Sequence, residues 1–227
     1  MDLSYVKNNY DRILDDIREC SAHANLKEPT LICVTKSASQ EELSELLSLG
    51  VTDIGENRVQ MFLDRYESID KDRTRMHLIG TLQSNKVKYI ADKVSLIHSL
   101  DRDSLAHEID RQGEKFGIDI PCLIEINSGR EAAKSGIMPE NAVSFAHSIC
   151  ELYPHIKLMG AMTMAPALSN DDDYRKYFSL TRELFEEMRP LYATDSPTLS
   201  MGMSDSYRIA IECGATAVRI GRALFRH

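Results

Sequence analysis

Lys36 is the residue whose type and position most directly suggest chemistry. It comes directly after the short, mostly apolar run Leu31–Thr35, which is typical of a strand buried on both faces. Most lysines are solvated surface charges. A partly desolvated lysine, however, is more often neutral and can attack a carbonyl carbon to form a Schiff base. Lys36 is therefore a candidate Schiff-base residue, and from its spacing alone an ordinary surface lysine is the favoured alternative.

Two residues near the end of the sequence could bind an anion. Ser204 offers a hydroxyl at the predicted start of one helix, and Gly221 would let a phosphate approach the backbone at the predicted start of the next. Free backbone N–H groups and the helix dipole favour an anion at such positions. Taken singly, Ser204 is more simply an N-cap and Gly221 a turn residue. Together they favour a phosphate site.

Short strands and amphipathic helices must position these residues. Apolar residues spaced three or four apart from Leu3 to Cys20 predict a first helix. Short apolar runs then alternate with helical patterns, as expected for buried parallel strands. The runs are Leu31–Thr35, Thr52–Gly55, Met76–Gly80, Val94–His98, Cys122–Ile126, Leu158–Thr163, Thr198–Met201 and Ala217–Gly221.

Local signals mark the starts of several helices. Ser39 and Glu42 have the spacing of a capping box, in which each residue satisfies a backbone N–H of the other. Ser84 is placed to cap a helix between the third and fourth strands. Pro139 stands at a plausible first helical position, where its missing N–H costs nothing.

This alternation predicts a single TIM-like (β/α)₈ barrel with an extra N-terminal helix, spanning residues 1–227 as one domain. Functional residues of such barrels sit at the carboxyl ends of the strands, where Lys36, Ser204 and Gly221 fall. An open doubly wound sheet is the alternative, because the pattern alone does not show closure. No GxGxxG motif follows the first strand, which weakens a dinucleotide-binding interpretation.

The composition argues against several classes of function. The net charge of −8 disfavours a nucleic-acid partner, which needs a basic protein face. No apolar run approaches the roughly 18 residues of a membrane span, and the acidic, periodic N-terminus lacks the features of a secretory signal. The five cysteines and seven histidines lack metal-ligand spacing. We therefore expect no metal site, reduced thiols and a cytoplasmic location.

Several segments, in order along the chain, resemble the pyridoxal phosphate homeostasis protein family, small barrels similar to the N-terminal domain of alanine racemase. The segments are VTKS at 34–37, GENRVQ at 55–60, HLIGTLQSNKVK at 77–88, IHSLDR at 97–102, AKSGI at 133–137, MGAMTMAP at 159–166, LSMGMSDSY at 199–207 and VRIGRALF at 218–225. One such segment would be weak evidence. Eight in the right order are highly specific, and they run from about Leu31 to Phe225.

The resemblance implies pyridoxal 5′-phosphate (PLP) as the cofactor and gives roles to particular residues. Lys36 matches the lysine that forms the internal aldimine. Ser204 and the backbone of Gly221 and Arg222 match the phosphate ligands, and Arg219 matches the arginine beside the pyridine nitrogen. With less definite roles, the residues that match the pocket lining are Asn57, His77, Thr163 and Met201. One departure is that the family often has a proline shortly after the lysine, where this chain has Ser37-Ala38-Ser39.

The resemblance also implies a carrier, buffer or regulator in PLP homeostasis, with no catalytic residue, rather than an efficient enzyme. Arginine has no acceptor lone pair, so Arg219 could donate only to an unprotonated pyridine nitrogen, which leaves the ring a poorer electron sink. Alanine racemase manages with an arginine, so this alone does not exclude racemisation. The sequence ends at His227. We therefore expect no second domain to supply an opposing base, and a mouth open to solvent.

Two alternatives stay open. One is a small PLP-dependent amino-acid racemase, which turnover of free amino acids would reveal. The other is a lysine Schiff-base aldolase without cofactor, which would lack a visible absorption band. Beyond PLP, we expect apo forms of PLP-dependent enzymes as candidate recipients, no nucleic acid or membrane partner, and a monomer or weak dimer.

Overall fold

Eight parallel strands close into a barrel in the computed structural model. The structure describes residues 3–131, 133–166 and 170–226. Each strand pairs with the next along the chain, and β1 also pairs with β8. The strands are β1 Thr30–Val34, β2 Asp53–Glu56, β3 Arg75–Leu78, β4 Leu96–Leu100, β5 Ile120–Ile126, β6 Ile156–Thr163, β7 Thr198–Ser200 and β8 Ala217–Ile220. The predicted (β/α)₈ barrel is thus confirmed, and the open-sheet alternative is wrong.

Helices cover the outside of the barrel. The α-helices are α1 Ser4–Ala24, α2 Gln40–Ser48, α3 Val59–Tyr66, α4 Asp103–Phe116, α5 Ala142–Leu152, α6 Asp171–Glu187 and α7 Tyr207–Glu212, and short 3₁₀-helices cover Ser84–Tyr89, Pro139–Asn141 and Arg189–Leu191. The predicted extra helix α1 precedes β1. It buries Val6, Ile13 and Ile17 and is tied to α7 by a hydrogen bond from the Tyr207 hydroxyl to Asp16 at 2.6 Å. Within the described ranges, no helix has the length and apolar character to cross a membrane.

Two of the three helix-start signals predicted from the sequence are confirmed. Ser39 and Glu42 form the predicted capping box at α2, and Pro139 opens the 3₁₀ turn that leads into α5. The prediction for Ser84 is wrong, because Gln83 holds the N-cap position and Ser84 is itself the first helical residue. Its hydroxyl points instead to the carbonyl of Ser104, at 3.4 Å.

The strands contribute to two separate cores, because successive side chains point to opposite faces of the sheet. Outward-facing side chains pack with the helices in one large apolar core. The barrel interior holds a small apolar cluster of Leu96, Leu123 and Met162, with Met159 packed against it. Polar side chains are also buried on the strands, namely Asp53, His77, His98, Glu125, Ser200 and Arg219. Buried polar groups need partners, and those partners define the site.

Candidate functional site

The exits of β1 and β8 lie side by side at the carboxyl end of the barrel. A Cβ on Gly221 would come within 2.9 Å of the carbonyl oxygen of Val34, so only glycine allows this approach. Lys36 follows Val34 by two residues and therefore lies on the same part of the rim as Gly221. Lys36 and Ser37 form an exposed turn. The expected partial desolvation of Lys36 is thus not found, because the turn extends into solvent.

Buried hydrogen bonds hold the residues on either side of the turn that carries Lys36. The Thr35 hydroxyl donates to Oε1 of Glu56 at 2.5 Å, and Nη2 of Arg65 donates to the carbonyl of Ala38 at 2.5 Å. Arg65 also donates to the Gln40 side chain at 3.0 Å. Burial raises the pKa of Glu56, opposed by the hydrogen bond from Thr35 and the charge of Arg65. This buried cluster fixes both ends of the short connection from β1 to α2.

Ser204 and the turn after β8 come together, as the phosphate prediction requires. Oγ of Ser204 accepts a hydrogen bond from the N–H of Ala223 at 3.2 Å, and Arg222 forms an ion pair with Asp205. A cavity of about 280 Å³ is lined by Asn9, Arg12, Ser204, Asp205, Arg222, Ala223 and Arg226. Cationic side chains outnumber the single carboxylate on this lining, so the cavity suits an anion.

The local geometry of this cup differs from the prediction in two ways. Ser204 does not begin a helix, because α7 starts at Tyr207 with Ser206 at the N-cap position. Gly221 opens a turn closed by the Leu224 N–H at 2.9 Å, and no helix follows β8 in the chain described up to residue 226. An anion here would therefore be held by Ser204 and turn N–H groups rather than by the helix ends expected from the sequence.

Arg219 is buried inside the barrel on β8, with 3% of its surface exposed. Its Nη1 donates to Oγ of Ser200 at 2.7 Å and to the Ser200 carbonyl at 2.9 Å. Its Nη2 donates to the carbonyl of Thr163 at 2.9 Å. Burial lowers the pKa of Arg219 to about 10, and the nearby Glu125 opposes this shift. The guanidinium thus stays charged at neutral pH, and these bonds leave N–H groups for a further acceptor.

A line of hydrogen bonds continues from Arg219 through the barrel interior. Oγ of Ser200 lies 3.0 Å from Nδ1 of His98, and Nε2 of His98 lies 3.0 Å from Nδ1 of His77. Nε2 of His77 lies 2.9 Å from Oδ1 of Asp53. The line therefore joins a cation near the carboxyl ends of the strands to a carboxylate at the first residue of β2.

Charge and burial set the protonation of this line. Burial opposes ionisation of Asp53, but hydrogen bonds from His77, Arg75 and Thr52 outweigh it and lower the pKa of this carboxyl. Burial, reinforced by the charges of His77 and Arg219, lowers the pKa of His98 well below its ordinary value. Asp53 is therefore an anion and His98 neutral at neutral pH.

The remaining predicted pocket residues occupy different places. Thr163 is at the rim, where its hydroxyl donates to the Ile126 carbonyl at 2.8 Å. Asn57 follows β2 and lines a cavity of about 710 Å³ beside the rim. His77 instead lines a cavity of about 290 Å³ among the amino-terminal ends of the strands. Met201 packs with the outer apolar core. The structure thus places Thr163 and Asn57 at the carboxyl end and His77 toward the amino-terminal end, whereas Met201 directly follows β7 with its side chain in the outer core.

Glu125 is an interior residue that the sequence interpretation missed. It is 3% exposed on β5, and across the described chain its Oε2 has no hydrogen-bond partner. Burial raises its pKa to about 7, the charge of Asp101 adds to the rise, and Arg219 opposes it. An acidic residue inside the apolar run of β5 was the available signal, as was His98 within β4.

The closed barrel, with Lys36 and Ser204 on turns at the carboxyl ends of its strands, is of the class of barrels related to alanine racemase. The family model described as alanine racemase, N-terminal domain, matches residues 8–227. Alanine racemase from Clostridium difficile has the same fold, with a TM-score of 0.74 at 15% identity over 99% of this chain and 57% of its own.

In the ranges that the structure describes, no group of three potential metal ligands occurs.

The chain belongs to the pyridoxal phosphate homeostasis protein family. It is 44% identical over 216 residues to the protein of that name from Aquifex aeolicus, covering 94% of each chain. It is 34% identical over 197 residues to the Helicobacter pylori protein, covering 86% of each.

Solved structures agree with this assignment. An unknown protein from Bifidobacterium adolescentis matches with a TM-score of 0.90 at 30% identity, over 98% of this chain and 95% of that one. PipY from Synechococcus elongatus, solved with PLP bound, matches with a TM-score of 0.78 at 26% identity, over 92% of this chain and 99% of its own.

Proposed function

We propose that this chain binds PLP at the carboxyl-end mouth of its barrel and serves intracellular PLP homeostasis without efficient catalysis. The observation that carries the proposal is the close approach of Gly221 to Val34, two residues before Lys36, with Ser204 bonded to the turn that Gly221 opens. An amine, an anion cup and the buried Arg219 would supply partners for the aldehyde, the phosphate and the pyridine nitrogen of PLP. The family membership and the PLP-bound relative from Synechococcus elongatus support it.

Lys36 would hold the cofactor covalently. Its Nζ would be joined to the aldehyde carbon of PLP by a carbon–nitrogen double bond, with the carbonyl oxygen and two amine protons lost as water. The exposed turn that carries Lys36 gives a solvated amine that can reach an incoming ligand. The same exposure allows water to reverse the reaction, which suits loading and release.

Ser204 and the turn after β8 would hold the phosphate. The Ser204 hydroxyl and the backbone N–H groups of Gly221 and Arg222 are donors suited to phosphate oxygens, and such charge-assisted bonds are stronger than neutral ones. Arg222 is exposed beside them and adds a positive charge.

Arg219 would face the pyridine nitrogen and keep it unprotonated. With a pKa lowered only to about 10, it stays a cation that donates and cannot accept. A pyridine without a proton withdraws electrons from a substrate carbanion less well, which favours storage over turnover. Thr163, whose carbonyl binds Arg219, and Asn57 on the neighbouring turn complete the proposed pocket. His77 and Met201 would act on it only indirectly.

A PLP site that is open to solvent could pass its cofactor to other proteins. We propose that apo forms of PLP-dependent enzymes receive the cofactor and that residues 1–227 act as one domain, as a monomer or weak dimer. We also propose a cytoplasmic location, since Cys20, Cys33, Cys122, Cys150 and Cys213 are all free thiols and such thiols persist in reducing compartments.

The decisive experiment is borohydride reduction of the PLP-loaded protein followed by peptide mapping. We expect a phosphopyridoxyl group on Lys36 and a visible absorption band that Lys36→Ala abolishes, with weak binding retained through the phosphate. Lys115→Ala, which removes an exposed lysine of α4, is the matched control and should keep the band. A label elsewhere with none on Lys36 would overturn the assignment, and no band at all would favour an aldolase without cofactor.

A further inference from the structure

We propose that Asp53, His77, His98 and Ser200 are positioning residues: they form a one-directional hydrogen-bonded chain through the barrel that fixes the plane of the Arg219 guanidinium. The inference rests on the proposed function only for the claim that Arg219 faces the pyridine nitrogen of PLP. The hydrogen-bonded chain itself is inferred from contacts within the protein.

The two ends of the chain fix the roles of the groups that contact them directly. Arg219 can only donate, so Oγ of Ser200 must be the acceptor at 2.7 Å. Ionised Asp53 can only accept, so Nε2 of His77 must carry a proton and donate at 2.9 Å. The proposal gives His77 this one ring proton, so that its Nδ1 presents a lone pair.

The middle of the chain follows from these ends. Nε2 of His98 faces the lone pair of His77 at 3.0 Å, so His98 carries its proton there. Nδ1 of His98 is then an acceptor, and the Ser200 hydroxyl donates to it at 3.0 Å. Every proton points from Arg219 toward Asp53. In this arrangement both imidazoles carry their proton on Nε2, and each ring nitrogen has a partner.

The consequence for Arg219 is a third acceptor in a defined direction. The carbonyls of Ser200 and Thr163 bind Nη1 and Nη2, and Oγ of Ser200 adds the contact that holds the plane. With its own hydrogen directed to His98, that oxygen accepts from Arg219 with one of its two lone pairs. Asp53 also balances the buried cation with a negative charge at the opposite end of the barrel, where Arg75 binds it at 2.7 and 2.8 Å.

The first test measures the tautomers directly in cofactor-free protein. Correlation of the ring nitrogens with the ring protons by NMR at neutral pH should show both His77 and His98 protonated on Nε2. Their signals are identified by scalar coupling across the imidazole–imidazole bond. A proton on Nδ1 of His98 would overturn the chain, whether or not the protein binds PLP.

The second test asks whether the far end of the chain reaches the cofactor. Asp53→Asn keeps the size of the side chain but removes the acceptor-only end, so the direction of the chain is no longer fixed. We expect a shifted absorption band of bound PLP and weaker binding. Ser200→Ala should weaken PLP binding by about fivefold, as for one lost hydrogen bond, and Ser200→Thr should restore it.

Ser95→Ala is the matched control. Ser95 lines the same amino-terminal cavity as Asp53, and its hydroxyl accepts from the Met76 N–H at 3.2 Å, outside the chain. This variant should lose some stability while the band and affinity stay unchanged. If Asp53→Asn and Ser95→Ala behave alike, the chain is structural only and the proposal fails. If no variant, nor the native protein, binds PLP, the proposed function fails while the tautomer result stands.

Discussion

Glu125 illustrates how one buried side chain can tie stability to pH. Its pKa is raised from 4.5 to about 7 by burial. The folded protein therefore binds a proton that the unfolded chain releases between these values. Stability contributed by this group is present below about pH 4.5 and is lost as pH rises through 7, because ionisation inside the barrel is costly.

Glu125→Gln should remove this dependence. We expect the free energy of unfolding of the variant, relative to the native protein, to rise between pH 5 and pH 8 by up to about 3 kcal/mol. Urea unfolding at several pH values measures it. Glu140→Gln, which alters an exposed glutamate, is the control. A pH-independent difference for Glu125→Gln would mean that the carboxyl ionises in the barrel without penalty.

Ser204 is the better residue for testing the phosphate cup. Ser204→Ala should weaken PLP binding by about 1 kcal/mol, or up to about 3 kcal/mol if the bond to phosphate is charge-assisted. Gly221→Val cannot test the cup alone, because a side chain at 221 would also strike Val34. Equilibrium dialysis with PLP and with unphosphorylated pyridoxal measures the effect. An equal loss for both ligands would place the phosphate elsewhere.

The connection between β1 and α2 should govern how firmly the cofactor is held. Arg65→Lys keeps the charge beside Glu56 but loses the guanidinium bonds to Ala38 and Gln40. We expect a loss of about 1–3 kcal/mol in stability and faster PLP dissociation, because the Lys36 turn loosens. Stopped-flow transfer to an excess of an apo-enzyme measures the rate. Arg58→Lys, on an exposed position of the next turn, should change neither quantity.

Strands and helices were predictable because their signals are local. The predicted first strand Leu31–Thr35 differs by one residue at each end from β1, Thr30–Val34, since a strand buried on both faces is an apolar run. The 3₁₀-helix at Ser84–Tyr89 was misjudged, because six residues carry too little periodicity to separate helix types.

The interior chain was not predictable, because its members are far apart in sequence. His98 and Ser200 are separated by 102 residues, and only the closed barrel brings them together. Lys36, Ser204 and Arg219 could be named from resemblance, whereas the roles of Asp53, Glu125 and Ser200 depend on contacts across the barrel. The resemblance placed His77 in the pocket lining at the carboxyl end, but its side chain lies among the amino-terminal ends of the strands.

The molecule as a whole is expected to store PLP rather than to turn over amino acids. In deuterated water, PLP-loaded protein should exchange the Cα proton of each common amino acid far more slowly than the roughly 1–10³ per second of enzymes. The reasons are an unprotonated pyridine and an open rim. NMR follows the exchange, and alanine racemase serves as the positive control. Turnover in the enzymatic range would instead establish a racemase.

The barrel closes by pairing its first strand, β1, with its last, β8. This pairing determines when, during synthesis, the protein can first hold PLP. The lysine follows the first strand, but Gly221 and Arg222, which would complete the proposed phosphate cup, follow the last strand of the barrel. Chains grow from the N-terminus at about 5–20 residues per second, so a nascent chain carries the amine for roughly ten seconds or more before any cup exists. PLP captured in that interval would be a freely hydrolysing adduct. Stable loading therefore belongs to the finished barrel, and a ribosome stalled before β8 should hold no cofactor.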